Sequence, residues 1–183
     1  MDKKILMILA DGFEEIEALG AADFLRRCEF NVILSGLNQV AVTGSHDIRI
    51  TADTTLAATR PSEFDALVLP GGMPGSMYLY ESNAVLAAVQ SAYQSGRIVA
   101  AICAAPIVLA RAGLLVNRTF TANQAAEKGL GGAKPTGRMV EVDGRIITGK
   151  APGSTFMFAA RIAAALGAEE MAKKTAAGMQ ITL

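Results

Sequence analysis

Apolar runs and helix-like spacing alternate along this chain, which predicts a sheet covered by helices. Three short runs are apolar at every position, a pattern typical of strands that are buried on both faces. These runs lie at 5–10, 66–69 and 98–102, and a fourth strand is predicted at 31–35.

Residues 14–27 have the spacing of an amphipathic helix. Ile16, Leu19 and Phe24 fall near one stripe, which we expect to face the sheet. Glutamates crowd the first turn and two arginines occupy the last, which is the arrangement that the helix dipole favours. Further helices are predicted at 86–93, 104–112, 156–166 and 169–177.

Turn signals complete the pattern. The Asp-Gly pair at 143–144 separates two short apolar stretches and predicts a β-hairpin, and weaker alternation predicts another around the Gly-Ser pair at 44–45. A short strand is predicted at 119–121. Buried strands that alternate with helices predict an α/β fold, a mostly parallel sheet with helices on both faces. Since no repeat or linker divides the chain, we expect a single domain over residues 1–183.

Composition narrows the function classes. The chain has 183 residues, half of them apolar, and its 17 Lys plus Arg balance 17 Asp plus Glu. A nucleic-acid partner is not expected, because such proteins usually present a basic face. The first apolar run is too short for a signal peptide, and no run is long enough to cross a membrane. With only two cysteines, Cys28 and Cys103, a reducing and therefore cytoplasmic compartment is predicted.

Cys103 is the strongest candidate for chemistry. It follows the predicted strand 98–102 and precedes a predicted helix, so it occupies a sharp strand-to-helix turn like a nucleophile elbow. Ligands of open α/β sheets bind at this carboxyl edge, and a helix N-terminus lowers the pKa of a thiol. An inert cysteine buried in an apolar strand explains the same pattern, and the residues alone leave both interpretations open.

Two more segments follow strands at the same edge. Gly71 and Gly72 follow the strand 66–69, and their N–H groups would serve as donors to an oxyanion, although paired glycines are also common in ordinary loops. Glu17 lies beside the apolar stripe of the first helix. If buried there, it would have a raised pKa and donate a hydrogen bond to a thiolate; the alternative is a solvated helix N-terminus.

Four motifs together resemble the ThiJ/PfpI superfamily, and within it the branch of the parkinsonism-associated deglycase. They are Gly-Phe-Glu-Glu-Ile-Glu at 12–17, Leu-Pro-Gly-Gly at 69–72, Ala-Ala-Ile-Cys-Ala-Ala-Pro at 100–106 and Ala-Pro-Gly-Ser-Thr-Phe at 151–156. The resemblance spans nearly the whole chain in the same order. It implies a flavodoxin-like three-layer sandwich and a homodimer.

The resemblance also implies roles for single residues and a reaction. Cys103 would be the elbow cysteine, Glu17 its hydrogen-bonded acid, and Gly72 and Ala104 the donors of N–H groups to the sulfur. The implied activity is a glyoxalase or deglycase reaction on methylglyoxal or a related small carbonyl compound, without a cofactor or metal. The resemblance equally allows a redox sensor or chaperone-like protein whose cysteine is oxidised to the sulfinate, and a binding protein with a vestigial cysteine is a third hypothesis.

One departure from the family pattern limits the chemistry. Many members carry a histidine where this chain has Ala122, so a Cys–His–acid triad lacks its base and peptidase activity is not expected. The single histidine, His46, stands where relatives carry an arginine that reaches toward the partner's site. It is either a surface histidine or part of an anion site together with Arg27. Asp23, which would orient the missing histidine, is present.

Overall fold

A seven-stranded sheet forms the centre of the computed structural model, which describes residues 2–183 (for 127, the backbone only). The strand order is β5-β2-β1-β6-β7-β9-β8, and every pairing is parallel except that of β8 with β9. Two further strands, β3 and β4, form a separate antiparallel hairpin. The strands are β1 (Lys4–Leu9), β2 (Asn31–Gly36), β3 (Ala41–Thr43), β4 (Arg49–Thr51), β5 (Thr54–Thr55), β6 (Ala66–Leu69), β7 (Ile98–Ile102), β8 (Val140–Asp143) and β9 (Ile146–Gly149).

Helices cover both faces of this sheet. They are α1 (Ala21–Arg27), α2 (Gly75–Glu81), α3 (Asn83–Gln94), α4 (Pro106–Arg111), α5 (Thr155–Ala165) and α6 (Glu169–Gly178). Successive side chains of β1 point to opposite faces, so Met7 belongs to a core with Phe158 of α5, whereas Ile8 belongs to a second core with Val89 of α3. The predicted three layers, the buried strands and both hairpins are confirmed.

The first helix differs from its prediction because it starts with a π-helical turn. This turn, Ile16–Gly20, runs directly into α1. A π-turn holds more residues per turn than an α-helix, so it changes which side chains face inward. Ile16 was expected on the buried stripe, but its relative exposure is 55%, while the neighbouring Glu17 is fully buried.

Two other short segments also differ from expectation. The predicted strand at 119–121 is wrong, because two of its N–H groups donate to side chains of the β8–β9 hairpin instead of to a neighbouring strand. Thr119 donates to Oδ2 of Asp143 at 2.9 Å and Thr121 to Oγ1 of Thr148 at 2.8 Å. Helix α2 was not predicted, since two turns offer too few positions for a periodic pattern.

The Thr121–Thr148 bond provides a test of how this segment is held. Both residues are buried, so Thr148→Val leaves the N–H of Thr121 without a partner at almost unchanged side-chain volume. We expect a loss of about 1–3 kcal/mol in the free energy of unfolding, measured by urea denaturation. Thr51→Val, at an exposed position of β4, is the control and should change stability little. Equal effects of the two substitutions would show that the buried bond is unimportant.

Candidate active site

Cys103 occupies the turn between β7 and α4, as the sequence predicted. Its φ of +63° lies in the left-handed region, which costs a non-glycine residue about 1–3 kcal/mol. Two backbone bonds hold it there: its N–H donates to the carbonyl of Gly149 at 2.9 Å, and its own carbonyl accepts the N–H of Asn123 at 2.8 Å. The side chain is half-buried, so the sulfur is neither sealed in the core nor free in solvent.

The glycine loop after β6 passes between the cysteine and the first helix. A Cβ on Gly71 would lie 2.6 Å from Oε2 of Glu17 and 2.7 Å from Cβ of Cys103. Gly72 has a φ of +92°, and a Cβ there would lie 2.3 Å from the nitrogen of Glu14. Both positions therefore need glycine, because any side chain would push the three segments of the site apart.

Glu17 is the buried acid of the site. Its Oε2 accepts the N–H of Gly71 at 2.8 Å, while Oε1 is buried and lacks a partner at ordinary hydrogen-bond distance. Burial raises the pKa of Glu17 to about 7, against the opposing hydrogen bonds of Cys103 and Gly71, and the negative charge of Glu14 raises it further. This carboxyl consequently keeps its proton up to near neutral pH.

The predicted lowering of the Cys103 pKa is wrong for the thiol beside an ionised Glu17. Burial, together with the charge and hydrogen bond of that carboxylate, raises the pKa of Cys103 to about 12. The backbone N–H groups of Ala104 and Gly72 face the sulfur and act in the opposite direction, as the family resemblance implied, but they do not outweigh burial.

The two groups titrate as a pair. Removing the first proton leaves one proton shared between the carboxyl and the thiol, and the resulting pKa values belong to the pair. When that proton is on Glu17, the carboxyl becomes a hydrogen-bond donor, and the negative charge is on a sulfur that faces the N–H groups of Gly72 and Ala104. This arrangement places a nucleophile and a proton donor on either side of Gly71.

Gly71 has a different role from the predicted one of oxyanion donor. Its N–H is committed to Glu17, so it orients the acid and is not available to an oxyanion. Ala122, at the family's histidine position, is buried in the apolar core, and the next residue, Asn123, supports the backbone of Cys103.

The predicted anion site of His46 and Arg27 does not form within one chain. Arg27 pairs with Asp23 at 2.8 Å in the last turn of α1. His46 lies on the β3–β4 turn, where Nδ1 is 2.8 Å from Oε2 of Glu15, a residue that precedes the π-turn. The two basic side chains are thus engaged at opposite ends of the first helical segment.

The link between Glu15 and His46 was not foreseen. Glu15 also accepts the backbone N–H of His46 at 2.7 Å and the hydroxyl of Ser45 at 3.2 Å. Glu14, Glu15 and His46 bring potential metal ligands within 4.8 Å of one another, but these protein hydrogen bonds already occupy both oxygens of Glu15. The cluster of glutamates at 14–17 was the sequence signal for such contacts. The sequence pattern does not show which way each glutamate side chain points, because that depends on the π-turn.

The protein is thus an α/β sandwich with a cysteine-centred site, in which the strained Cys103 faces the buried carboxyl of Glu17 across the glycine loop. Residues 3–165 match the family model described as the DJ-1/PfpI family. The chain belongs to this family. Within residues 2–183, none of the helices combines the length and apolarity that crossing a membrane requires.

Related proteins cover nearly the whole chain. The dj-1beta protein of Drosophila melanogaster is 39% identical over 99% of this chain and 98% of its own length. Its crystal structure superposes with a TM-score of 0.93 over 100% of both chains at 38% identity, which supports the flavodoxin-like fold. Deglycase TK1284 of Thermococcus kodakarensis is 30% identical over 84% of this chain and 93% of its own length. The glutathione-independent glyoxalase DJR-1.2 of Caenorhabditis elegans is 30% identical over 91% of this chain and 89% of its own length.

The Glu15–His46 pair should make stability depend on pH. Burial acts to raise the pKa of Glu15, but the hydrogen bonds from the His46 ring and backbone N–H outweigh it and lower the pKa from 4.5 to about 2. The stabilisation that ionised Glu15 provides is therefore lost as the pH falls from 4.5 to about 2. The hydrogen bond and charge of Glu15 raise the pKa of His46 above its ordinary 6.5, so its contribution is lost as the pH rises beyond 6.5. The pair therefore stabilises most between pH 4.5 and 6.5.

We expect His46→Gln to reduce the free energy of unfolding more at about pH 5.5 than at about pH 9 or pH 2.5, measured by urea denaturation. The control is Arg27→Gln, which removes an exposed pair with Asp23 and should show no such difference between pH 5.5 and 9. A loss for His46→Gln that is constant across this range would contradict the assignment.

Proposed function

We propose that this protein is a cysteine-dependent, cofactor-independent glyoxalase or deglycase acting on methylglyoxal or related α-oxoaldehydes. The observation that carries the proposal is that Cys103 and the buried Glu17 face each other across Gly71. The pKa of Glu17, about 7, suits a group that gives and takes a proton near neutral pH. The relatives named deglycase and glyoxalase support the same class of reaction.

The first step forms a carbon–sulfur bond. The Cys103 thiolate adds to the aldehyde carbon of methylglyoxal, and Glu17 protonates the resulting alkoxide, which gives a hemithioacetal. The N–H groups of Gly72 and Ala104 face the sulfur, so they stabilise its charge before the attack.

The second step is an internal oxidation and reduction. The Glu17 carboxylate removes the proton from the former aldehyde carbon, and that proton returns to the adjacent carbon. The hydroxyl proton of the hemithioacetal passes to the former ketone oxygen, so the ketone becomes an alcohol and a lactoyl thioester is left on Cys103. Water then cleaves the thioester, so methylglyoxal and water give lactate and a proton without an external oxidant. A deglycase reaction would start from the hemithioacetal or hemiaminal that the same aldehyde forms with a thiol or an amine, and would release that thiol or amine.

Peptidase activity is not proposed. Glu17 is the titratable side chain that acts on Cys103 among residues 2–183, and the only histidine is engaged with Glu15. Amide cleavage by a cysteine needs a base that later protonates the leaving amine, and the carboxyl that acts on Cys103, Glu17, already serves the sulfur.

Cys103→Ala should abolish lactate formation from methylglyoxal, because it removes the nucleophile. Glu17→Gln should lower kcat by roughly 100- to 10,000-fold, the usual contribution of a general acid and base. The assay is enzymatic quantification of lactate. Cys28→Ala, which changes the buried cysteine outside the site, is the matched control and should keep activity. If the wild type shows no turnover, or if Cys103→Ala retains it, the proposed function fails.

Redox sensing through Cys103 is the second candidate. The favouring observation is that the half-buried sulfur faces two backbone N–H groups, which would donate hydrogen bonds to sulfinate oxygens. Two equivalents of hydrogen peroxide would convert the thiolate to the sulfinate and release two molecules of water.

Mild peroxide treatment should add about 32 Da to Cys103, corresponding to two oxygen atoms, and leave Cys28 unmodified. Peptide mass spectrometry separates the two sites. Glu17→Ala should slow this oxidation, because the thiolate loses its hydrogen-bond donor. Equal oxidation of both cysteines would remove the case for sensing and leave a binding role.

We further infer a homodimer in the cytoplasm. Two large apolar side chains lie exposed near the Glu15 carboxylate, Ile16 on the π-turn and Ile48 on the β3–β4 turn. Covering them with a second copy would remove apolar surface from water, which supports the homodimer that the family resemblance implies.

A further inference from the structure

Glu14 is a second buried carboxylate in the site, and the reaction outlined above does not use it. Its relative exposure is only 8%. One of its oxygens, Oε2, accepts the backbone N–H of Glu17 at 2.7 Å. Its own N–H donates to the carbonyl of Gly71 at 2.9 Å, and its carbonyl accepts the N–H of Ala18 at 3.1 Å. Glu14 therefore ties the start of the π-turn to the glycine loop.

The negative charge of Glu14 acts more strongly on Glu17 than on Cys103. The titratable groups that face the Glu17 carboxyl are Glu14, from its own turn, and Cys103, from the β7–α4 turn, among residues 2–183. The charge of Glu14 disfavours a second charge on Glu17, whereas the groups that act on the Cys103 sulfur are Glu17 and the backbone N–H groups of Ala104 and Gly72.

We propose that Glu14 is a positioning residue that biases the shared proton toward Glu17 and the negative charge toward the sulfur of Cys103. The inference deepens the proposed function and rests on the same cysteine–acid pair. With one proton in the pair, a negative Glu14 penalises the state with a Glu17 carboxylate and a neutral thiol. The state with a protonated Glu17 and a thiolate gains population in consequence.

Glu15 supplies a matched comparison. It is the next residue, its exposure is 5%, and it carries the same charge, but its oxygens bind His46 and Ser45 on the β3–β4 turn instead of Glu17. If Glu14 acts through its particular contact, neutralising Glu14 and neutralising Glu15 must have different effects on the thiol.

The experiment compares Glu14→Gln with Glu15→Gln. A glutamine at position 14 keeps an oxygen that can accept the N–H of Glu17 but removes the charge. The readout is the rate of Cys103 alkylation by iodoacetamide between about pH 5 and 10, followed by peptide mass spectrometry so that Cys28 is counted separately. At about pH 7, Glu14→Gln should alkylate roughly three- to tenfold more slowly than the wild type, the effect of removing one nearby charge. Glu15→Gln should stay within about twofold of the wild type.

Superimposable pH profiles for Glu14→Gln and the wild type would overturn the inference, as would equal slowing by Glu15→Gln. A measurement on the wild type covers the case in which Glu14→Gln does not fold. In protein labelled with ¹³C at the glutamate carboxyls, the Glu17 signal should be that of a protonated acid at about pH 6; a Glu17 signal of an ionised carboxylate at that pH would overturn the inference.

These readouts involve no substrate. A chain that forms no lactate but shows the Glu14-dependent profile would refute the proposed function and keep the inference. A chain that forms lactate with a profile insensitive to Glu14 would do the opposite.

Discussion

The electrostatic coupling of Cys103 and Glu17 across Gly71 is the interaction on which the rest of this site depends. Both groups are withdrawn from water, and burial opposes ionisation of each, so only one of them readily carries a charge at neutral pH. Under the proposed function, the proton that leaves the sulfur stays on the acid beside it as a hydrogen-bond donor, which favours the thiolate.

The surrounding backbone serves this contact. Gly71 lies between the two side chains with no room for a Cβ, and its N–H holds the acid. Cys103 has a left-handed backbone conformation, and hydrogen bonds to Gly149 and from Asn123 hold that strained residue. Three strand ends therefore converge on one pair of side chains, which is where parallel α/β sheets usually place their chemistry.

Two positions that the family resemblance singled out bear on the same edge. Ala122 stands where the resemblance implies a histidine base, so the proposed reaction assigns the proton chemistry to Glu17. His46 binds Glu15 and fastens the β3–β4 turn to the residue that precedes the π-turn. Because an imidazole titrates near neutrality, the His46–Glu15 interaction responds to pH in a range where an arginine–glutamate pair would not.

Local patterns in the sequence were enough for the layered fold, since fully apolar runs form buried strands and the Asp-Gly pair at 143–144 forms a tight turn whatever surrounds them. They also placed Cys103 at the elbow. The π-turn was decided by tertiary packing, and with it the burial of Glu17 and the exposure of Ile16, because one extra residue in a turn rotates every later side chain. The titration of the pair was likewise beyond the sequence: it depends on burial and on groups that are distant along the chain but meet at the edge of the sheet.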